Sequence, residues 1–206
     1  MTARLRLLIS ATAAMAAAIA LVAPSANAGL LDPITNLLLP TCGSTSQVFQ
    51  PVDGDSSSYF GFANNGFESG STGWSLTGHA YVGAGNEPWY VNGSGSRSLV
   101  LPAGATATSP AFCINLLDPT VRMFARASSG AKLNIQVIFH GLTGNVTGIL
   151  NTTTIGGTGA WEGTDPCSSA LALPLLTAYA QIKVTAVSGS WQVDDAYVAP
   201  WVIGAG

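Results

Sequence analysis

Three stretches of this sequence carry residue types that could do chemistry. The segment NNGFESGSTGW, Asn64 to Trp74, holds the carboxylate Glu68; WQVDDAYV holds the pair Asp194 and Asp195; and the loop GNEPWYVNGSGS sets Trp89 and Tyr90 beside Asn86, Glu87 and Asn92. Only 8% of the residues are charged, so each carboxylate raises the question of its partner. A carboxylate taken out of water needs a cation, a set of amide donors or a metal ion. Side chains alternate along a strand, so if Trp191 and Val193 face the core, Asp195 and Tyr197 face it too, and Asp194 turns outward with Gln192. Three compensations are open to an inward Asp195: a salt bridge to Arg122 or Arg126, hydrogen bonds from backbone N–H groups, or a hard cation such as Ca²⁺, which takes carboxylate and carbonyl oxygens. Glu68 is the second carboxylate that such a cation site would need.

The loop around Trp89 points to a different chemistry. Sugar-recognising surfaces combine exposed aromatic faces with a few fixed polar groups. Trp89, Tyr90, Asn86, Glu87 and His79 form the candidate ligand-binding set, and Trp161, with Glu162 and Asp165 nearby, is a weaker second candidate. The competing reading makes the Trp-Tyr pair a packed loop anchor. Nothing identifies a catalytic residue: His79 and His140 lack metal-ligand spacing, and neither G-x-S-x-G nor H-E-x-x-H occurs. A glycoside-cleaving carboxylate pair would have to be assembled from Glu87, Glu162 and Asp165, which sequence alone does not support.

The elements that must position these groups read as strands. KLNIQVIFH places Leu133, Ile135, Val137 and Phe139 on one face and Lys132, Asn134, Gln136 and His140 on the other. YAQIKVTAV repeats the pattern with Ala180, Ile182, Val184 and Ala186, and SWQVDDAYV follows after Ser188-Gly189. HAYVG, RSLVL and TVRMFAR are further candidates, and recurrent Gly-rich turns give the spacing of a sandwich. The one segment with helical character is SSALALPLLTA, Ser168 to Ala178, interrupted by Pro174. The expected fold is all-β: two antiparallel sheets packed face to face around one core.

The first residues read as an export signal: a basic start at Arg4 and Arg6, an apolar run from about Leu7 to Val22, and Ala26 and Ala28 around a cleavage point. The expected organisation is a signal peptide over 1–28, an extended N-terminal arm over 29–58, and one sandwich domain over 59–206. No later segment reads as a membrane span. Beyond the signal, five cations face ten carboxylates, a net charge of −5, which excludes nucleic acid as a natural partner. An oxidising compartment favours one disulfide among Cys42, Cys113 and Cys167. Cys42 with Cys113 is the preferred pairing, since the arm otherwise has little to hold it down, with Cys167 left in the polar loop GTDPCSS as a half-buried bystander or a reactive thiol.

Two of these stretches together carry a resemblance. NNGFESGSTGW and WQVDDAYV resemble the N-G-G-F-E-x-G…W opening and the W-x-I-D-D-V closing strand of carbohydrate-binding-module-like jelly rolls, the galactose-binding-like superfamily, and the stretch from about Phe60 to Trp201 is similar to secreted proteins of actinobacteria. The resemblance implies a β-sandwich jelly roll, and a structural calcium where the first and last strands meet, bound by Glu68 and Asp195, with Asp194 the lesser member of the pair. Asn65 stands where Gly is common, and Ala196 replaces Val. The function expected is a secreted, non-catalytic module for carbohydrate or another cell-envelope component. The alternatives are a surface-interaction protein with no sugar site and a glycan-active hydrolase.

Overall fold

A computed structural model of the chain describes residues 42–114, 120–167 and 177–199. All of them belong to one compact unit, Leu39–Gly206. The structure is a sandwich of two antiparallel sheets, a jelly roll. The first sheet runs β3 (Tyr81–Ala84), β4 (Arg97–Leu101), β11 (Trp191–Ala199), β6 (Thr120–Ala127), β9 (Glu162–Gly163), with β1 (Phe60–Gly61) also paired to β11. The second runs β2 (Ser75–Thr77), β5 (Thr106–Thr108), β10 (Thr177–Ser188), β7 (Lys132–Gly141), β8 (Val146–Gly156).

Strand alternation builds the space between the sheets. On β7, Leu133, Ile135, Val137 and Phe139 are buried, and they register against Ala186, Val184, Ile182 and Ala180 of β10. Across the gap, Val121, Met123, Ala125 and Ala127 of β6 join Leu99, Leu101, Trp191 and Val193 in the same cluster. Each large aliphatic side chain buried this way contributes roughly 1.5–3 kcal/mol. The segment Ser168 to Ala178 lies outside the described residues except for Thr177 and Ala178, which open β10. β8 was not anticipated, because its Asn- and Thr-rich sequence lacks alternation; as the sheet's edge strand it has no second neighbour to demand it.

A second core lies on the outer face of the β6–β11 sheet. Phe49, Tyr59, Phe124, Tyr197 and Val48 pack there, with Phe49 stacked on Phe124 at 5.0 Å between ring centroids. A helical turn, α1 (Gln50–Asp53), makes this segment less extended than expected; Pro51 suits its first turn and Gly54 ends it with a left-handed φ of 85°. The segment is held by Arg122, only 2% exposed. Its guanidinium sits 4.0 Å over the Phe49 ring, donates from Nε to the Thr164 carbonyl at 2.7 Å and from Nη1 to Asp55 at 2.7 Å, and forms an ion pair with Asp53. Burial pushes the Asp55 carboxyl up, but hydrogen bonds from Tyr59, Ser57 and Arg122 outweigh it and hold the group well below the usual carboxylate range.

The disulfide joins Cys42 to Cys113 across 71 residues, with Cα atoms 5.3 Å apart, and ties down the start of this segment. Cys167 departs from expectation. It is 1% exposed, exchanges two 3.0 Å backbone hydrogen bonds with Val121 and packs into the main core, so it is not a surface thiol.

Removing one partner of a buried ion pair strands the other. Arg122→Met is therefore expected to lower stability by about 3 kcal/mol, read as the urea midpoint. Asp53→Asn should cost far less, because the Asp53 side chain is 41% exposed and water screens it.

Candidate functional site

The NNGFESGSTGW turn follows β1 and clasps β11. Asn65 donates from Nδ2 to the Ala196 carbonyl at 3.0 Å, and the Ala196 N–H returns a bond to the Asn65 carbonyl at 3.1 Å. Asn at this position thus supplies a bond that Gly could not. Phe67 is fully buried against Trp74, their ring centroids 4.6 Å apart, and Trp74 Nε1 donates to the Asn64 carbonyl at 3.0 Å. A Cβ on Gly66 would overlap the Asp195 carboxylate and the Asn92 side chain, so only Gly fits there. Glu68 reaches β4, where Oε1 accepts the N–H groups of Ser96 and Arg97, each at 2.9 Å.

The last strand corrects the parity argument. Asp194 pairs with Phe124 and Tyr197 with Arg122, so β11 places two residues, Asp195 and Ala196, opposite the single Met123. This is a β-bulge, and Asp195 adopts a left-handed φ of 44°, a conformation that Asp tolerates better than most residues. Beyond it the alternation is reversed: Ala196 and Val198 enter the main core, while Tyr197 turns to the outer face. Asp195 therefore does not face the inter-sheet core; it occupies the bulge beside Gly66 and accepts a hydrogen bond from Asn92 Nδ2. Asp194 does lie on the outer face with Gln192, but it is buried there.

The loop between β3 and β4 covers it. Glu87 is fully buried, and its N–H donates to Asp194 Oδ2 at 3.1 Å while its own carboxylate accepts the N–H groups of Trp89 at 2.5 Å and Val91 at 2.6 Å. Glu87 is thus a knot inside the loop, unavailable to a ligand or to glycoside chemistry. Asn92 completes the network, its Oδ1 accepting from Tyr197 Oη at 2.6 Å. The salt bridge left open for Asp195 does not form: Arg122 is taken by Asp53 and Asp55, and Arg126 donates to Gln192. Burial first, and then the charge of Asp195, push the Asp194 carboxyl up to about 8; burial, and then Glu87, push Asp195 up to about 7. Among the described residues no group of three or more His, Cys, Asp or Glu side chains is arranged to hold a metal ion.

Two of the three aromatic candidates, Trp89 and Trp161, converge although they come from distant loops; Tyr90 lines neither their shared depression nor its neighbours. Trp89 and Trp161 line one depression of about 270 Å³ together with Asp53 and Glu162. Trp89 is 36% exposed, with its ring 5.4 Å from that of Phe124, and Tyr90 is 54% exposed. The other predicted residues fall away: Asn86 is spent on the Glu87 carbonyl at 2.7 Å, and His79 sits in the turn before β3 with a φ of 67° and lines neither this depression nor its neighbours. Tyr81, read as lying on the strand before the aromatic loop, falls in a cross-strand row with Arg126 and Gln192, neither of which the sequence pointed to as a ligand contact; only the register could have aligned them. Glu162 also lines an adjoining cleft of about 220 Å³, together with Asp165.

No protein-family model matches the chain, and no curated protein matches it in sequence. Solved structures do match its fold. The enzymatically active domain of bacteriophage CBA120 tailspike protein 4 superposes with a TM-score of 0.52 at 15% identity over 67% of this chain, which spans 21% of that one. The CBM22-1-GH10 modules of Clostridium thermocellum xylanase 10B, complexed with xylohexaose, give 0.50 at 16% identity over 66% of this chain and 27% of that one. The CBM22-1 xylan-binding domain of Paenibacillus barcinonensis Xyn10C gives 0.46 at 15% identity, covering 66% and 90%. At these identities the likeness is one of fold.

Carboxyls whose folded pKa values are raised bind protons more tightly in the folded state than in the unfolded chain. Their contribution is full below the unfolded value near 3.8 and is lost as pH rises through about 7 to 8. In chelator, the melting temperature is expected to fall by several degrees between pH 5 and pH 8. Asp195→Asn, which retains the left-handed backbone and an acceptor for Asn92, should flatten that slope; an unchanged slope would show that these carboxyls do not titrate as the burial dictates.

Proposed function

We propose that this protein is a secreted, non-catalytic module that binds carbohydrate of the cell envelope or its surroundings in the cleft between Trp89 and Trp161. The convergence of two Trp rings from separate loops, with Asp53 and Glu162 beside them, carries the reading. Ring faces stack on the apolar faces of sugars while carboxylates accept hydroxyl hydrogens. The exposure of Trp89 and Tyr90 speaks for a binding surface over a buried loop anchor. The jelly-roll fold, shared with part of a xylanase that carries a carbohydrate-binding module, is compatible with this role. The export-signal pattern and the disulfide support secretion.

We also propose a structural calcium at the bulge, where clustered carboxylates lack a cation. Asp194, Asp195 and Glu87 are buried with no cation paired to them among the described residues. Glu68 and Asp195, with Asp194, would hold the ion; they are not gathered around one point among the described residues, so binding would have to draw them together, with Glu68 contributing the oxygen that accepts no amide hydrogen. When bound it would neutralise the clustered charge. Calcium is expected to raise the melting temperature of the wild type and chelator to lower it, with Glu68→Ala losing most of the response; a melting temperature unmoved in every case would remove the metal.

Retention on a panel of insoluble glycans and cell walls tests the binding role. Trp89→Ala and Trp161→Ala should each weaken retention about tenfold or more, the effect of losing roughly 1.4 kcal/mol of stacking. Wild-type protein retained by nothing on the panel, or retained equally by both variants, would overturn the reading. A second reading, glycoside hydrolysis, has one observation behind it, the cleft shared by Glu162 and Asp165. Release of reducing ends that disappears in Glu162→Gln would establish it in place of simple binding.

A further inference from the structure

We infer that the glycan bound by this protein is an acidic chain, whose carboxylate is read by Arg126; the inference rests on the carbohydrate reading above. The outer face of the first sheet is covered in part by the 85–96 loop, whose Glu87 and Trp89 lie over Asp194 and Phe124, and in part by the segment around Phe49. One cross-strand row is left open: Tyr81 registers with Val100, Val100 with Gln192, and Gln192 with Arg126. These four residues line a groove of about 600 Å³, with Tyr81 55% exposed at its far end. Four adjacent strands at about 4.8 Å spacing make the row about 14 Å long, room for a short stretch of linear polysaccharide.

Arg126, at one end of the row, also lies 5.2 Å over the ring of Trp161, which lines the neighbouring depression with Trp89. Its treatment contrasts with that of Arg122. Arg122 is buried and neutralised by two aspartates, whereas Arg126 is exposed and both salt bridges among the described residues belong to Arg122. Gln192 accepts a hydrogen bond from Arg126 Nη2, and its own Nε2 donates to the Ala84 carbonyl at 3.4 Å, so the guanidinium is oriented by a neutral partner. The remaining N–H donors form a planar fork that fits a carboxylate. Among the described residues no carboxylate pairs with this cation, which lines a groove with Tyr81 and lies against the Trp161 ring. Glu162 and Asp53 line the adjoining depression, so they disfavour a sugar carboxylate there and set its place at Arg126.

Two matched pairs of polymers test this by affinity electrophoresis and calorimetry: glucuronoxylan against the same xylan stripped of glucuronic acid, and polygalacturonate against its methyl ester. The wild type should bind the acidic member of at least one pair at least tenfold more tightly, with the preference shrinking as salt is raised. Arg126→Gln, checked for an unchanged melting temperature, should bring the ratio of acidic to neutral affinity to about one, whatever it does to neutral binding through its contact with Trp161. Equal binding of acidic and neutral members, or a preference that survives Arg126→Gln, would overturn the inference while leaving carbohydrate binding intact. Protein retained by neither pair and by no glycan of the wider panel would take both down together.

Discussion

The extra residue in β11 is the constraint on which the rest of this structure depends. A strand of strict alternation would send Asp195 and Tyr197 between the sheets, where a carboxylate has no compensation. The bulge opposite Met123 absorbs one residue and reverses the parity. Ala196 and Val198 then fill the inter-sheet core, and Tyr197 becomes part of the second core with Phe49 and Phe124. The same bulge frees the Ala196 N–H and carbonyl to pair with Asn65, which is how the opening turn finds the closing strand.

The outer face of that sheet is the product of two covers. The 85–96 loop is folded around a buried Glu87, whose carboxylate takes the amides of its own loop, and the 42–59 segment is fastened by Arg122. Each cover uses one buried charged group satisfied by several partners, as burial of charge requires. Between and beyond the covers, the uncovered row and the Trp89–Trp161 depression form the surface available to a ligand. The architecture thus separates the charges that hold the fold from the few that remain exposed.

The strands with a clean period of two were legible in the sequence. KLNIQVIFH and YAQIKVTAV appear as β7 and β10 with the predicted faces inward, because a buried face imposes alternation. RSLVL is β4 as read, and HAYVG loses His79 and Ala80 to a turn. The edge strands β2 and β8 left little trace, since Ser, Thr and Asn tolerate loop and strand equally. At the site, Trp89 and Tyr90 were legible as candidate aromatics while their exposure stayed open, and Glu87 and Asn86 were misread, because a residue in a Gly-rich loop gives no sign of whether it serves the loop or a ligand.

What the sequence determined by itself is the all-β sandwich, the cation-poor charge balance and the two motifs that meet at the closing strand. These follow from composition, periodicity and local spacing, which are properties of neighbouring residues. Tertiary structure alone decided the bulge, the burial of Cys167, and the meeting of Trp89, Trp161 and Arg126. Each depends on registers between strands far apart in the chain, and a shift of one residue in such a register moves every side chain beyond it to the opposite face.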